Sequence, residues 1–128
     1  MSFQRIVNAT RDRIDTKVRA ATIGVFSSVI RMTPVGNPDL WQNPESAPDG
    51  YVGGRARGNW QCTIGAPVTV ENWQSDSESA MRGTVPQRAG SVVYLTNNVP
   101  YIQKLEYEGW SQQAPAGMVR VSISRFTQ

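Results

Sequence analysis

The spacing of apolar and small residues at the start of this 128-residue chain predicts one long helix. These residues recur at steps of three and four from Phe3 to Met32, which is the stripe of one helical face. Ser2 is suited to cap the start, and the residue before Pro34 is driven out of helical geometry, so the helix should occupy residues 1–32. With a rise of about 1.5 Å per residue, it is too long for the rest of the chain to cover. We therefore expect one stretch to pack on a sheet and another to contact a second subunit.

The following segment, residues 33–58, is interrupted repeatedly by Pro and Gly, which predicts an extended loop without regular structure. Trp41 and Tyr51 lie within it. Large aromatic side chains are rare in flexible linkers, so this pair indicates docking onto a partner.

Residues 59–128 are expected to form a small sheet and short helices. Residues 59–70 are predicted to be extended, first by the alternation of Trp60, Cys62 and Ile64 and then by the valines that follow at positions 68 and 70. Residues 91–96 are the clearest strand in the chain. A short helix is predicted around residues 77–81.

After the second strand, the chain is expected to turn and form another short helix. Asn97 and Asn98 tolerate left-handed backbone and can bond the backbone of the turn. Pro100 suits the first helical position, and Gly109 suits the position just past the end. The tail, residues 118–126, fits both a strand and a helix, and we favour the helix because Pro115 lies just upstream and the end is charged.

These elements predict one α+β domain over residues 1–128. A long N-terminal helix would pack on a small, mostly antiparallel sheet, with short C-terminal helices and a long Pro/Gly-rich loop. A chain of this size can bury roughly two thirds of its unfolded surface, which is enough for one modest core.

Catalysis is disfavoured by the residue types available. There is no histidine and only one cysteine, so the usual general base and the usual metal-ligand sets are missing. Cys62 is expected to be a small buried side chain without an activating base. We therefore predict no enzyme, no cofactor and no metal site.

The sequence predicts neither a membrane span nor a signal peptide, because its longest apolar run, residues 20–30, is short and lies between arginines. The formal net charge is +3, and basic residues crowd the first helix. Such a cluster can mark a nucleic-acid-binding module. A solvated helix face or a contact to an acidic neighbouring subunit explains it better, since no aromatic residues interleave with the basic ones.

Two separate patches resemble one family, the tail-completion or head–tail joining proteins of long-tailed bacteriophages. The first patch reads Arg31-Met32-Thr33-Pro34-Val35-Gly36 and then Gly54-Arg55-Ala56-Arg57-Gly58-Asn59-Trp60. It is similar to that family's helix end, Gly-rich turn and strand start. Residues 37–53 separate the halves as an insertion that the resemblance does not explain.

The second patch is longer and more specific. It reads Val93-Tyr94-Leu95-Thr96-Asn97-Asn98-Val99-Pro100-Tyr101-Ile102, Lys104-Leu105-Glu106-Tyr107, Gly109-Trp110-Ser111 and Gln113-Ala114-Pro115-Ala116-Gly117-Met118-Val119-Arg120. The family pattern is a strand ending in Asn-Asn, then Pro-Tyr, Leu-Glu, Gly-x-Ser and Gln-Ala-Pro-x-Gly-Met. The two patches cover about half of the chain.

The resemblance implies a structural virion protein of the phage neck, assembled in the host cytoplasm. It would form a ring, usually hexameric, that completes the tail tube and joins it to the head. The implied partners are further copies of the chain, the tail tube protein and a head-side connector or stopper protein, with passing contact to DNA in the lumen and none to a membrane. The alternatives are a minor tail or head-side connector component and, less favoured, a basic nucleic-acid-binding module.

Two sets of residues follow from these arguments. The candidate subunit-interface residues are Arg31, Trp41, Tyr51, Arg55, Arg57, Trp110, Ser111, Gln113 and Pro115. The motif residues expected to be structural are Pro34, Trp60, Asn97, Asn98, Pro100, Tyr101, Leu105, Glu106, Gly109, Gly117 and Met118. Within the motifs, Tyr101 and Leu105 should share a buried helix face, Glu106 should be free to accept hydrogen bonds, and Trp110 should be a contact residue because it lies in a turn.

Overall fold

A computed structural model of the chain describes residues 2–36 and 53–126 and confirms the α+β class. The elements in chain order are α1 Phe3–Met32, α2 Arg55–Gly58, β1 Gln61–Ile64, α3 Ser77–Thr84, β2 Val93–Thr96, α4 Ile102–Tyr107 and α5 Val119–Phe126. The long helix α1 packs mainly against α3 and α5, and α3 also packs against β1.

Helix α1 begins and ends where its sequence predicts. The Ser2 side chain accepts a hydrogen bond from the backbone N–H of Arg5, which satisfies one of the free donors of the first turn. Thr33 is extended, with ψ at 125°, because Pro34 follows it. The C-terminal half of α1 is the buried half.

The sheet consists of β1 and β2 in antiparallel register, with Gln61 opposite Thr96 and Ile64 opposite Val93. The strand predicted over residues 59–70 is shorter than expected. The chain turns at Gly65, where φ is +87°, and so leaves the ladder before residues 68 and 70.

The expected extended loop over residues 33–58 is only partly described. For its last four residues the prediction of a loop is wrong. Arg55–Gly58 forms one helical turn that starts after Gly54, where φ is +108°. Trp41 and Tyr51 lie outside the described residues.

The short helices α3, α4 and α5 form where they were predicted, but the boundaries of two of them differ from the prediction. The tail is helical, which confirms the favoured alternative for residues 118–126. Helix α3 continues past Met81 to Thr84. Helix α4 starts at Ile102, later than expected, because Pro100 and Tyr101 form the preceding turn.

The core lies where the second half of α1 meets the C-terminal segments. Its most buried members are Val29, Ile30, Ala56, Trp60, Met81, Val85, Val99, Leu105, Ala114 and Met118. Helices α1 and α5 approach closely: the hydroxyl oxygens of Ser28 and Ser122 are 2.8 Å apart, and a side chain at Gly24 would collide with the Phe126 ring. Small residues at these contacts therefore let the two helices pack.

Candidate subunit-contact surfaces

The second motif patch is built around the buried carboxylate of Glu106. It accepts hydrogen bonds from the backbone N–H groups of Met118, Val119 and Arg120 at 3.0, 2.6 and 3.2 Å. These are free donors of the first turn of α5, so the carboxylate caps that helix. The Arg120 guanidinium in turn donates to the carbonyl oxygen of Glu106. The expected acceptor role of Glu106 is confirmed, and its partners are now defined.

Gly117 is required beside this cap. Its φ is +91°, and a Cβ at this position would fall on the Glu106 carboxylate and carbonyl oxygen. Met118, next in the chain, is fully buried. The Gly-Met pair of the motif therefore places the start of α5 against Glu106.

The turn before α4 is held by the two asparagines. Asn97 Oδ1 accepts from the N–H of Val99 at 3.1 Å, and its amide donates to the Ala56 carbonyl at 2.7 Å. Asn98 donates to two carbonyl oxygens of the segment that leaves β1. Neither asparagine adopts the left-handed backbone that it tolerates, because the described residues with positive φ are all glycines. The asparagines instead fasten neighbouring segments through their amides.

Of the remaining motif residues, Pro34 and Leu105 are buried, and Gly109 has a φ of +61° just past the end of α4. Tyr101 precedes α4 and is half-buried, so it does not share a buried face of that helix with Leu105 as expected. Trp60 is 6% exposed, and its ring N–H donates to the Thr33 hydroxyl at 2.7 Å. That hydroxyl donates to the Val29 carbonyl, so Trp60 is tied to the end of α1.

The interface candidate Arg57 binds its own chain. Its guanidinium donates to the carbonyl oxygens of Arg31 and Thr33 at 2.9 and 3.0 Å. These carbonyls lie at the C-terminus of α1, where a cation is favourable. Arg57 is therefore a cap of α1, and its part in a subunit interface stays a prediction.

Arg31 and Arg55 are both exposed and both paired. Arg31 forms an ion pair with Glu78 at 2.7 Å, and Arg55 donates two hydrogen bonds to Glu71 at 2.8 and 3.0 Å. The hydrogen bond from Arg55 lowers the pKa of Glu71. The Arg55 guanidinium also lies 5.7 Å from the centre of the Tyr101 ring. Both arginines remain accessible to a neighbouring subunit.

Glu78 of α3 pairs with two arginines, Arg31 of α1 and Arg82 of its own helix. It lies 2.7 Å from Arg31 and 3.1 Å from Arg82. The hydrogen bond from Arg31, assisted by that from Arg82, holds the pKa of Glu78 below its ordinary value. A carboxylate whose pKa is lowered by folding stabilises the folded state above its unfolded-state pKa, and this stabilisation is lost as the pH falls through the folded-state pKa.

We therefore expect wild type to be more stable than Glu78→Gln near neutral pH, by less than about 1 kcal/mol because the arginines are exposed. The difference should shrink as the pH falls through about 4 and below. Urea unfolding of both proteins at a series of pH values measures it. A difference that stays constant from about pH 7 to about pH 3 would refute the assigned role.

Trp110 and Tyr107 are two exposed aromatic residues at the end of α4 and just beyond it. Trp110 is 58% exposed and Tyr107 is 66% exposed. A cation covers each ring: Lys104 Nζ is 4.4 Å from the Trp110 centroid, and the Arg120 guanidinium is 4.9 Å from the Tyr107 centroid. We call these two rings the aromatic surface. Tyr107 was not among the residues predicted from sequence, although its spacing from Lys104 places both on one side of α4.

The segment after Trp110 is fastened to the end of α1. The Gln113 side chain donates to the carbonyl oxygen of Val35 at 2.8 Å and accepts from its N–H at 3.1 Å. Ser111 accepts a hydrogen bond from the Gln113 N–H at 3.1 Å, and Pro115 is exposed. Gln113 is thus occupied within its own chain. The contact places the aromatic surface toward the C-terminal end of α1.

At its other end, α1 projects away from the domain. Phe3, Ile6 and Ile14 are 79%, 49% and 53% exposed. Counting from the N-terminus of α1, Asp15 is the first residue that hydrogen-bonds to another segment of the described chain. Its carboxylate accepts from the Ala89 N–H at 2.9 Å. We call residues 3–14 the projecting half of α1. The apolar stripe that predicted the helix therefore extends into the projecting half, where no described element of the chain packs against it.

Within residues 2–36 and 53–126, no group of three or more acidic, His or Cys side chains is arranged to hold a metal ion. Burial raises the pKa of the Cys62 thiol, which lies half-buried in β1. No helix among the described residues has the length and apolar content needed to cross a bilayer. Comparisons with protein-family models, with curated protein sequences and with solved structures find no match to the chain.

Proposed function

We propose that the chain is a structural subunit of the neck of a long-tailed bacteriophage, forming a ring that completes the tail tube and joins it to the head. Its proposed partners are further copies of the chain, the tail tube protein and a head-side connector or stopper protein. Its proposed location is the virion. The motif resemblance supports the choice of this class. The structural observation that carries the proposal is a pair of exposed apolar surfaces at opposite ends of α1.

The separation of these surfaces follows from the length of α1. A helix of 30 residues is about 45 Å long. Phe3 lies at one end, and the bond from Gln113 to Val35 holds the aromatic surface near the other. A neck subunit must contact its neighbouring copies and also a tail or head partner. Two distant apolar surfaces on one small domain offer separate places for these two kinds of contact.

Replacing Trp110 with alanine is expected to weaken assembly by about tenfold or more, since exposed Trp residues are frequent centres of interface energy. The melting temperature should change little, because the ring is 58% exposed. Light scattering across a concentration series and thermal unfolding give the two quantities. A large fall in melting temperature with unchanged assembly would make Trp110 a stabilising residue of the monomer instead.

The proposal is tested directly by adding the purified protein to tail tubes with open ends. We expect the protein to bind tube ends and to permit attachment of filled heads. Duplex DNA is the competing ligand, since a nucleic-acid-binding module would bind it with a steep dependence on salt. Steeply salt-dependent binding to duplex DNA, together with no binding to tail-tube ends, would favour the nucleic-acid-binding module instead.

A further inference from the structure

The projecting half of α1 carries a narrow apolar seam. In a seven-residue repeat, Phe3 and Thr10 take position d, and Val7 and Ile14 take position a. Val7 is half-buried by its neighbours on the helix, and the other three are exposed. This spacing is the one found in the contact seams of paired helices.

The seam of the projecting half ends where the domain begins. The next d position would be Lys17, so the repeat breaks there. From Val18 onward the apolar stripe is rotated, and Val25 and Phe26 then contact the core of their own chain. One helix thus carries two successive apolar faces, and only the second is used within the monomer.

The flanks of the seam carry Gln4 and Ile6 in the first heptad and two arginines in the second. Arg11 lies at position e and Arg13 at position g, on either side of Ile14. Neither makes an ion pair within the described chain. The nearby carboxylates do not offset them, because Asp12 falls on the outer position f and Asp15 accepts from the Ala89 N–H.

This charge pattern disfavours a second copy as the occupant. Another projecting half would offer these arginines no carboxylate, because its e and g positions are Gln4, Ile6, Arg11 and Arg13. Like charges at flanking positions suppress pairing, whereas opposite charges select the partner. The seam is also too narrow, and too polar at Thr10, for a helix that lies in a membrane surface.

We propose that the projecting half of α1 is a docking helix for a different protein, one that presents an apolar helical seam flanked by Glu or Asp. Its apolar residues enter the partner's seam, and Arg11 and Arg13 pair with the partner's carboxylates. The contact stands independently of ring formation, because it needs one subunit and one partner helix. This docking helix specifies the kind of partner, an acidic-flanked apolar helix, which the proposed function leaves open.

The experiment uses the full chain, labelled with ¹⁵N, and two synthetic three-heptad helical peptides. Both peptides have the same apolar a and d residues; one has Glu at every e and g position and the other has Lys. We expect the Glu peptide to bind at least about tenfold more tightly and to shift the amide signals of residues 3–14. In the R11E/R13E variant the preference should reverse. The matched control R5E changes the charge at an outer position and should keep the wild-type preference.

Several results would overturn the proposal. They are an unchanged peptide preference in R11E/R13E, a reversed preference in R5E, and dimerisation of the chain through Ile14 that the Ile14→Glu substitution abolishes. Tighter binding of the projecting half to phosphatidylserine vesicles or to duplex DNA than to the Glu peptide would also overturn it. Ring formation is measured separately by light scattering, so failure of the docking helix is distinguishable from failure of the proposed function.

Discussion

Replacing Glu106 with alanine is expected to lower the free energy of unfolding by about 3 kcal/mol. The change removes the acceptor for three backbone N–H groups at the start of α5, and the Met118 N–H is buried there. Buried donors without partners cost far more than an ordinary surface hydrogen bond contributes. Urea unfolding of the purified variant measures the loss.

Two matched variants separate the cap from the general effect of removing a carboxylate. Glu108→Ala removes an exposed carboxylate two positions further on and should change stability by less than about 0.5 kcal/mol. Glu106→Gln keeps one acceptor oxygen but no charge, so it should lose about half as much as alanine. Equal effects of Glu106→Ala and Glu108→Ala would contradict the assignment of Glu106 as the cap of α5.

Replacing Trp60 with alanine is expected to cost about 4 kcal/mol of stability, the range found for large aromatic residues removed from a core. Trp60 is 6% exposed and lies between the end of α1 and the sheet. The substitution also removes the donor that binds the buried Thr33 hydroxyl. Chemical denaturation followed by far-ultraviolet circular dichroism gives the value.

Trp60→Phe isolates the hydrogen bond from the packing. It retains most of the ring and should lose only about 1–2 kcal/mol. The comparison with Trp110→Ala is also informative, because Trp110 is 58% exposed. A Trp60→Ala variant no less stable than Trp110→Ala would show that the junction of α1 and the sheet is not the core.

The helices and the sheet could largely be predicted because their causes are local. The stripe from Phe3 to Met32, the cap at Ser2 and the stop before Pro34 all act within a few residues. The single turn at Arg55–Gly58 could not be predicted, since it depends on Gly54 adopting positive φ in a Gly-rich stretch. Strand β1 ends earlier than predicted because the chain turns at Gly65, and the Asn98 amide then binds the carbonyl oxygens of Val68 and Val70 beyond the turn.

The candidate surfaces were predicted less completely than the fold. Sequence analysis named Arg57 and Gln113 as interface candidates, but their partners lie more than 20 positions away and are backbone groups at the end of α1. Spacing along the chain carries no signal of such contacts. The exposure of Trp110 was expected because Trp110 lies in a turn. The projection of α1 was expected because the helix is long. Both features depend on the sequence within a short stretch of the chain.

The central claim is that this chain is a ring-forming neck subunit with two different contact surfaces. Electron microscopy of the purified protein, alone and mixed with tail tubes, tests that claim most directly. We expect closed rings of uniform copy number in the free protein and the same rings on tube ends. A protein that stays monomeric at high concentration and leaves tube ends bare would contradict the claim.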